Sequence, residues 1–330
     1  MLLAKVIIAV ASALDKTSGM KIGRAWDDPP LEGALRPVRS GRLDAGLRLI
    51  RQARGDNELR ALRVEELARA ARSHTDALAR MAGDDPDALL WLGAALIEHA
   101  WSIRGGSTAD YVSAERFTRF WEVLDAAVTP LERAAEALPD DPVPWDRLQW
   151  HGIGMQVGRA RLDHLWEELT ARDPRLYTAH HGRAQVLCPK WYGSDAELLG
   201  FARGTAQAAA PGDAVTAILA LAHFEIAWDE IRESPGPGED ILHTRFRRQE
   251  VVRELAHAAD KWQDGARPHP RAVEAMHLFG AAFYHGGQHT RAQRLLNDAG
   301  RRVPEILPWS AASLTPGRRY AAVRRDLGLG

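Results

Sequence analysis

Five helix-start signals recur along this chain, and their spacing narrows what it can fold into. Asp85-Pro86, Asp141-Pro142 and Asp173-Pro174 each put a capping residue before a proline, whose missing N–H costs nothing in the first helical turn. Gly212-Asp213 and His269-Pro270 open two further helices. Pro86, Pro142, Pro174, Pro211 and Pro270 stand 56, 32, 37 and 59 residues apart. Similar units at such spacings signal stacked supersecondary elements, none of which buries its apolar face alone. The two long intervals contain candidate insertions around Arg104-Gly105-Gly106-Ser107 and Ser234-Pro235-Gly236-Pro237-Gly238. No segment sustains a period-two alternation of β-branched residues, which predicts an all-α chain with essentially no sheet.

The last unit can be set on a frame. With Val273 as position 1, Gly280 falls at 8, Phe283 at 11, Ala292 at 20, Leu296 at 24, Ala299 at 27 and Pro304 at 32. Leu92-Gly93, His151-Gly152, His181-Gly182, Leu221-Ala222 and Phe279-Gly280 all fit positions 7 and 8. This pattern resembles the tetratricopeptide repeat, strongly in the last unit and approximately in four more between Pro86 and Pro304. There, small residues let helices A and B of a repeat approach closely. The resemblance implies a right-handed α-solenoid of antiparallel helix pairs with N- and C-terminal capping segments. The expected organisation is a partly irregular segment at 1–40, a helical pair at 41–83, the repeat array at 84–304 and a cap at 305–330.

Prolines and glycines between Ile22 and Pro37 predict the irregular segment. One continuous helix is expected from Glu58 to Met81, and the cap is a helix over Arg318–Leu327 with Tyr320, Val323 and Leu327 on one face. In the stretch Tyr177–Arg203, Pro189 is expected to stop one helix and a Ser194/Glu197 capping box to start the next. Its Pro189, Lys190, Trp191, Gly193 and Ser194, followed by Phe201-Ala202, are also similar to a Pro-basic-Trp-Gly-Ser turn of uncharacterised bacterial repeat proteins. Here Tyr192 separates Trp191 from Gly193, and the similarity implies no activity.

A formal net charge of −1 gives no reason to expect nucleic acid as a partner. One cysteine, Cys188, allows no internal disulfide and fits a reducing cytoplasm. The apolar run Val6–Val10 is far too short to span a bilayer, so no membrane association is expected. There is no phosphate-cradling Gly-rich loop, and the Gly152, Gly154, Gly158 run lacks the dinucleotide spacing. No cofactor and no metal are expected; His285 and His289 have a one-face spacing but lack further ligands.

In the frame, position 7 reads Leu92, His151, His181, Leu221 and Phe279, and position 11 reads Leu96, Met155, Gln185, Glu225 and Phe283. Polar residues therefore replace apolar ones in the middle units, where burial without partners is costly. Either His151, His181, Gln185 and Glu225 form a central pocket, with Arg183 and His223 nearby, or a shifted register places them in solvent or a satisfied network. The frame's groove positions (2, 5, 9 and 12) are Asp87, Leu90, Ala94 and Ile97, then Asp146, Gln149, Ile153 and Gln156. They continue as Leu176, Ala179, Arg183 and Val186, and as Glu274, His277, Ala281 and Tyr284.

Trp145, Trp150 and Trp191 supply a candidate aromatic edge, whereas Trp91, Trp101, Trp121, Trp166 and Trp228 are expected to fill the core. Two functions follow. One is a non-enzymatic helical-repeat scaffold that holds a protein or peptide partner in its groove, using Gln149, Gln156, Arg183 and His277. The alternative is an enzyme or small-molecule binder with His151 or His181 as general base.

Overall fold

The computed structural model describes residue 15 and residues 17–105, 113–265 and 267–330. They are mostly helical. Their strands are two residues long, β1 (Lys21–Ile22) pairing in parallel with β2 (Arg302–Val303). The Val6–Val10 run and Gly106-Ser107 lie outside the described residues. No helix among the described residues is long and apolar enough to cross a membrane. The chain divides into two compact units. The first holds residues 28–186 and 190–192, and the second holds the described part of 1–27 with 187–189 and 193–330. The division falls inside the span expected to form one array, 84–304.

The first unit opens with α1 (Pro29–Arg39), where the sequence predicted irregular chain. Pro29 and Pro30 occupy the first helical turn, where no N–H is needed, and the Asp28 carboxylate caps it by accepting from the Leu31 N–H at 3.3 Å. Next come α2 (Asp44–Gln52), α3 (Asn57–Ala71) and α4 (Thr75–Ala82), so the helix expected over Glu58–Met81 is two helices. The rest are α5 (Pro86–Arg104), α6 (Ala114–Asp125), α7 (Val128–Ala137), α8 (Val143–Met155), α9 (Arg159–Arg172) and α10 (Tyr177–Val186).

The second unit contains α11 (Asp195–Ala208), a 3-10 turn at Ala214–Ala217, α12 (Ile218–Glu233), α13 (Gly238–Phe246), α14 (Gln249–Gln263), α15 (Ala272–His285), α16 (His289–Ala299) and α17 (Pro316–Asp326). Both long proline intervals thus contain an additional helix, α6 in one and α13 in the other. At the start of α11, Ser194 Oγ accepts from the Glu197 N–H at 3.2 Å and donates to the Glu197 carboxylate at 3.1 Å. That is the serine half of the expected box; the glutamate meets the hydroxyl rather than the Ser194 N–H. Gly193 is required just before it, because a Cβ there would collide with the Leu187 carbonyl.

All five start signals share one local device. Side chains of Asp85, Asp141, Asp173, Asp213 and His269 accept from the N–H two residues ahead, at 2.9, 2.9, 3.0, 3.0 and 3.1 Å. Such turns pre-shape the chain for helix entry. Among these five signals, proline is the first helical residue only at Pro86; α8 begins at Val143 and α10 at Tyr177.

Small residues sit where helices approach most closely. A Cβ on Gly93 would strike Leu131 of α7, one on Gly152 would lie 3.0 Å from Leu162 of α9, and one on Gly280 would come within 2.5 Å of Leu296 of α16. The tryptophans divide less simply than expected. Trp91 is fully buried, Trp101, Trp166 and Trp228 are half-buried, and Trp121 is exposed and stacked on Phe117 at 5.4 Å. Tyr320, Val323 and Leu327 are buried at or beside α17, as its one-face pattern predicted.

Candidate functional site

The first unit is organised around α3. This helix packs against α2, α5, α8 and α10, and its buried residues surround it: Arg60, Leu62, Arg63, Val64, Glu66 and Leu67 among them. A helix buried on every side must satisfy its charged groups internally. The Arg60 guanidinium pairs with Asp87 at 2.8 Å and Asp141 at 2.6 Å and donates to the Ile50 carbonyl at 3.0 Å. Arg63 pairs with Asp28 at 2.7 Å and donates to the Leu49 carbonyl. Both arginines thereby serve the last turn of α2, where carbonyls lack helical partners and the dipole favours cations.

The start-signal aspartates have a second role here. Asp85 pairs with Arg51, Asp141 with Arg60, and Asp173 accepts from Asn57 at 2.9 Å. The N–H of Tyr177 donates to Glu58 at 2.7 Å, which ties the start of α10 to the start of α3. Around the other end of α3, Arg69 pairs with Glu65, Glu66 and Glu98. Burial, reinforced by Glu65, pushes the Glu98 carboxyl above the usual range against the pull of Arg69 and Arg147.

The frame's groove residues in this unit are therefore covered. Asp87, Leu90, Ala94, Ile97, Asp146, Gln149, Ile153, Leu176, Ala179, Arg183 and Val186 are all buried, while Gln156 is exposed and left-handed (φ 54°) at the end of α8. Gln149 donates to the Ala179 carbonyl at 3.1 Å. Arg183 pairs with Asp163 at 2.6 Å and lies over the Trp166 ring. Gln185 is buried on the same helix.

The two candidate bases have different surroundings. His151 is buried; desolvation lowers its pKa, opposed by Asp125 and the Leu124 backbone. His181 is half-exposed and meets the edge of Trp150 at 5.9 Å. Trp145 is half-buried under the Arg172 guanidinium, and Trp191 lies edge-to-face on Trp101 at 6.3 Å.

His223, Glu225 and His277 belong to the second unit. Buried His223 donates from Nε2 to Glu254 at 2.8 Å. Burial holds His223 below the usual imidazole range. Burial also opposes charge on Glu254, yet bonds from His223 and Arg203 outweigh it and hold that carboxyl at about 2. Glu225 is buried in α12. His277 is completely buried rather than groove-lining: Nε2 donates to the Arg302 carbonyl, Nδ1 accepts from Trp309 Nε1 at 2.9 Å, and Tyr320 covers the ring. Burial, with Arg324 adding to it, pushes its pKa down to about 4. This residue is a satisfied core histidine.

No protein-family model, curated protein or solved structure matches this chain. The chemistry must be read from its own side chains. One further cluster combines three ligand-type groups. Glu239 and His243 lie one turn apart on α13, and His285 ends α15; a ligand atom from each lies within 4.8 Å of the others. The Gly238-to-Phe246 segment carries the glutamate–histidine pair at helical spacing, but its third member is 42 residues downstream and nothing local points to it. His289, the neighbour suggested by spacing, is exposed and stacks on Tyr284 instead.

Proposed function

We propose that this chain is a tetratricopeptide-repeat-like scaffold that works by binding a protein or peptide partner, without catalysis of its own. The observation that carries the reading is the recurrence of one close approach. Gly93, Gly152 and Gly280, all at frame position 8, face Leu131, Leu162 and Leu296 on a packed helix. A side chain at Gly93 or Gly280 would collide with the facing leucine and one at Gly152 would crowd it, so in these three units the spacing of a helix pair depends on a small residue. The single buried cysteine suits a cytoplasmic setting.

The partner surface that fits this reading in the first unit is the outer face of α8 and α10 at Trp150 and His181. Their half-exposed rings make one contiguous aromatic contact, and aromatic side chains dominate binding hot spots. The test compares quantitative partner capture by wild type, Trp150→Ala/His181→Ala and the distant Trp121→Ala, after circular dichroism establishes that each is folded. A specific partner retained by Trp121→Ala and weakened about tenfold or more by the double variant supports the surface. Equal capture by all three proteins rejects it.

A further inference from the structure

We infer that Glu239, His243 and His285 form a binding site for one divalent transition-metal ion, zinc by ligand type. Two imidazoles and a carboxylate suit zinc, and three protein ligands leave one tetrahedral position for water. The helix α13 supplies Glu239 and His243 from one face, and its packing against α15 brings up His285.

The hydrogen bonds around the cluster set it up for an ion. His243 donates from Nδ1 to the His285 backbone carbonyl at 3.1 Å, which leaves its Nε2 lone pair as the ligand. Metal-binding histidines are commonly oriented through the other ring nitrogen in this way. His285 Nδ1 is buried, has no hydrogen-bond partner among the described residues, and lies 3.7 Å from Glu239 Oε2. A buried nitrogen left without a partner is costly, and an ion between it and the carboxylate removes that cost.

Glu239 Oε2 also accepts from Arg319 Nη2 at 2.6 Å. That oxygen also faces His285, so it can meet the ion while Arg319 stays on it as an outer contact that fixes the carboxylate's direction. Phe224 and Phe246 line the His285 ring at 6.5 and 6.2 Å and form an apolar floor. Half-exposed Glu239 and His243 leave the opposite side accessible. Bonds of zinc length place tetrahedral ligand atoms about 3.3 Å apart, so the three groups close in slightly from their present separation.

Chelator-stripped full-length protein titrated with Zn²⁺ against a chromophoric competitor, and with Co²⁺ followed by visible absorption, tests the site. The expected result is one equivalent of either ion and the intense visible bands of tetrahedral Co²⁺. Affinity should fall about tenfold or more in Glu239→Gln and in His243→Gln, and stay at the wild-type value in His289→Gln. These variants spare buried His285, and circular dichroism verifies their fold. Stoichiometry well below one overturns the assignment, as does wild-type affinity in His243→Gln or an equal loss in His289→Gln.

Discussion

The two units solve the same problem, polar groups inside a helical core, by different chemistry. In the first, the interior of α3 is held by permanent charges: Arg60 and Arg63 against Asp28, Asp87 and Asp141. In the second, buried histidines carry much of the polar load, with His223 on Glu254 and His277 between Trp309 and the Arg302 carbonyl. A guanidinium stays charged at any physiological pH and is tolerated inside only with carboxylates around it. An imidazole can be buried neutral and still make two hydrogen bonds. The first solution ties distant helices together through charge; the second adds sensitivity to mild acid.

The comparison breaks most readily at Arg60. Arg60→Leu leaves Asp87 with exposed Arg54 as its remaining ion-pair partner within 3 Å and removes the guanidinium donor from the Ile50 carbonyl, which keeps the Ala53 N–H. Unfolding in urea should show a loss of about 3–5 kcal/mol, the range for breaking a buried pair. A loss below about 1 kcal/mol would mean the network is solvated like a surface pair.

Acid separates the units next. His277 is neutral when folded, because burial pushes its pKa down to about 4 from the ordinary imidazole value of 6.5. Below pH 6.5 the unfolded chain binds the extra proton, so stability is lost as pH falls from there to about 4, by about 3 kcal/mol in total. Hydrogen exchange at pH 7 and pH 4.5 should show α15 amides losing protection while α3 amides change little. Equal loss in both helices would dissolve the distinction. Packing gives the smallest expected effect. Gly280→Ala places a methyl against Leu296; overpacking outweighs the helix-propensity gain of about 1 kcal/mol, for a net loss of about 1–2 kcal/mol in the urea transition.

How much of this was readable beforehand differs from residue to residue. The five helix starts were legible because each depends on a side chain reaching two residues along its own backbone. The helix α1 was hidden by its prolines, which argue against helix unless they fall in the first turn or, like Pro37, near the last. Polar groove positions such as Asp146 and Gln149 read as exposed because an amphipathic pattern cannot reveal that α3 packs against the helices carrying them. His277 read as a groove residue for the same reason: Trp309 and Tyr320, more than thirty residues away, bury it.

By itself the sequence determined the helical class, the five marked helix starts and the glycines at which helices meet, because those follow from local backbone chemistry and side-chain size. Tertiary structure decided which polar residues are buried and which side chains share a site. Glu239 and His243 are one helical turn apart, so the local geometry of α13 alone sets them on one face. His285 joined them when α13 packed against α15, and no short-range rule specifies that contact.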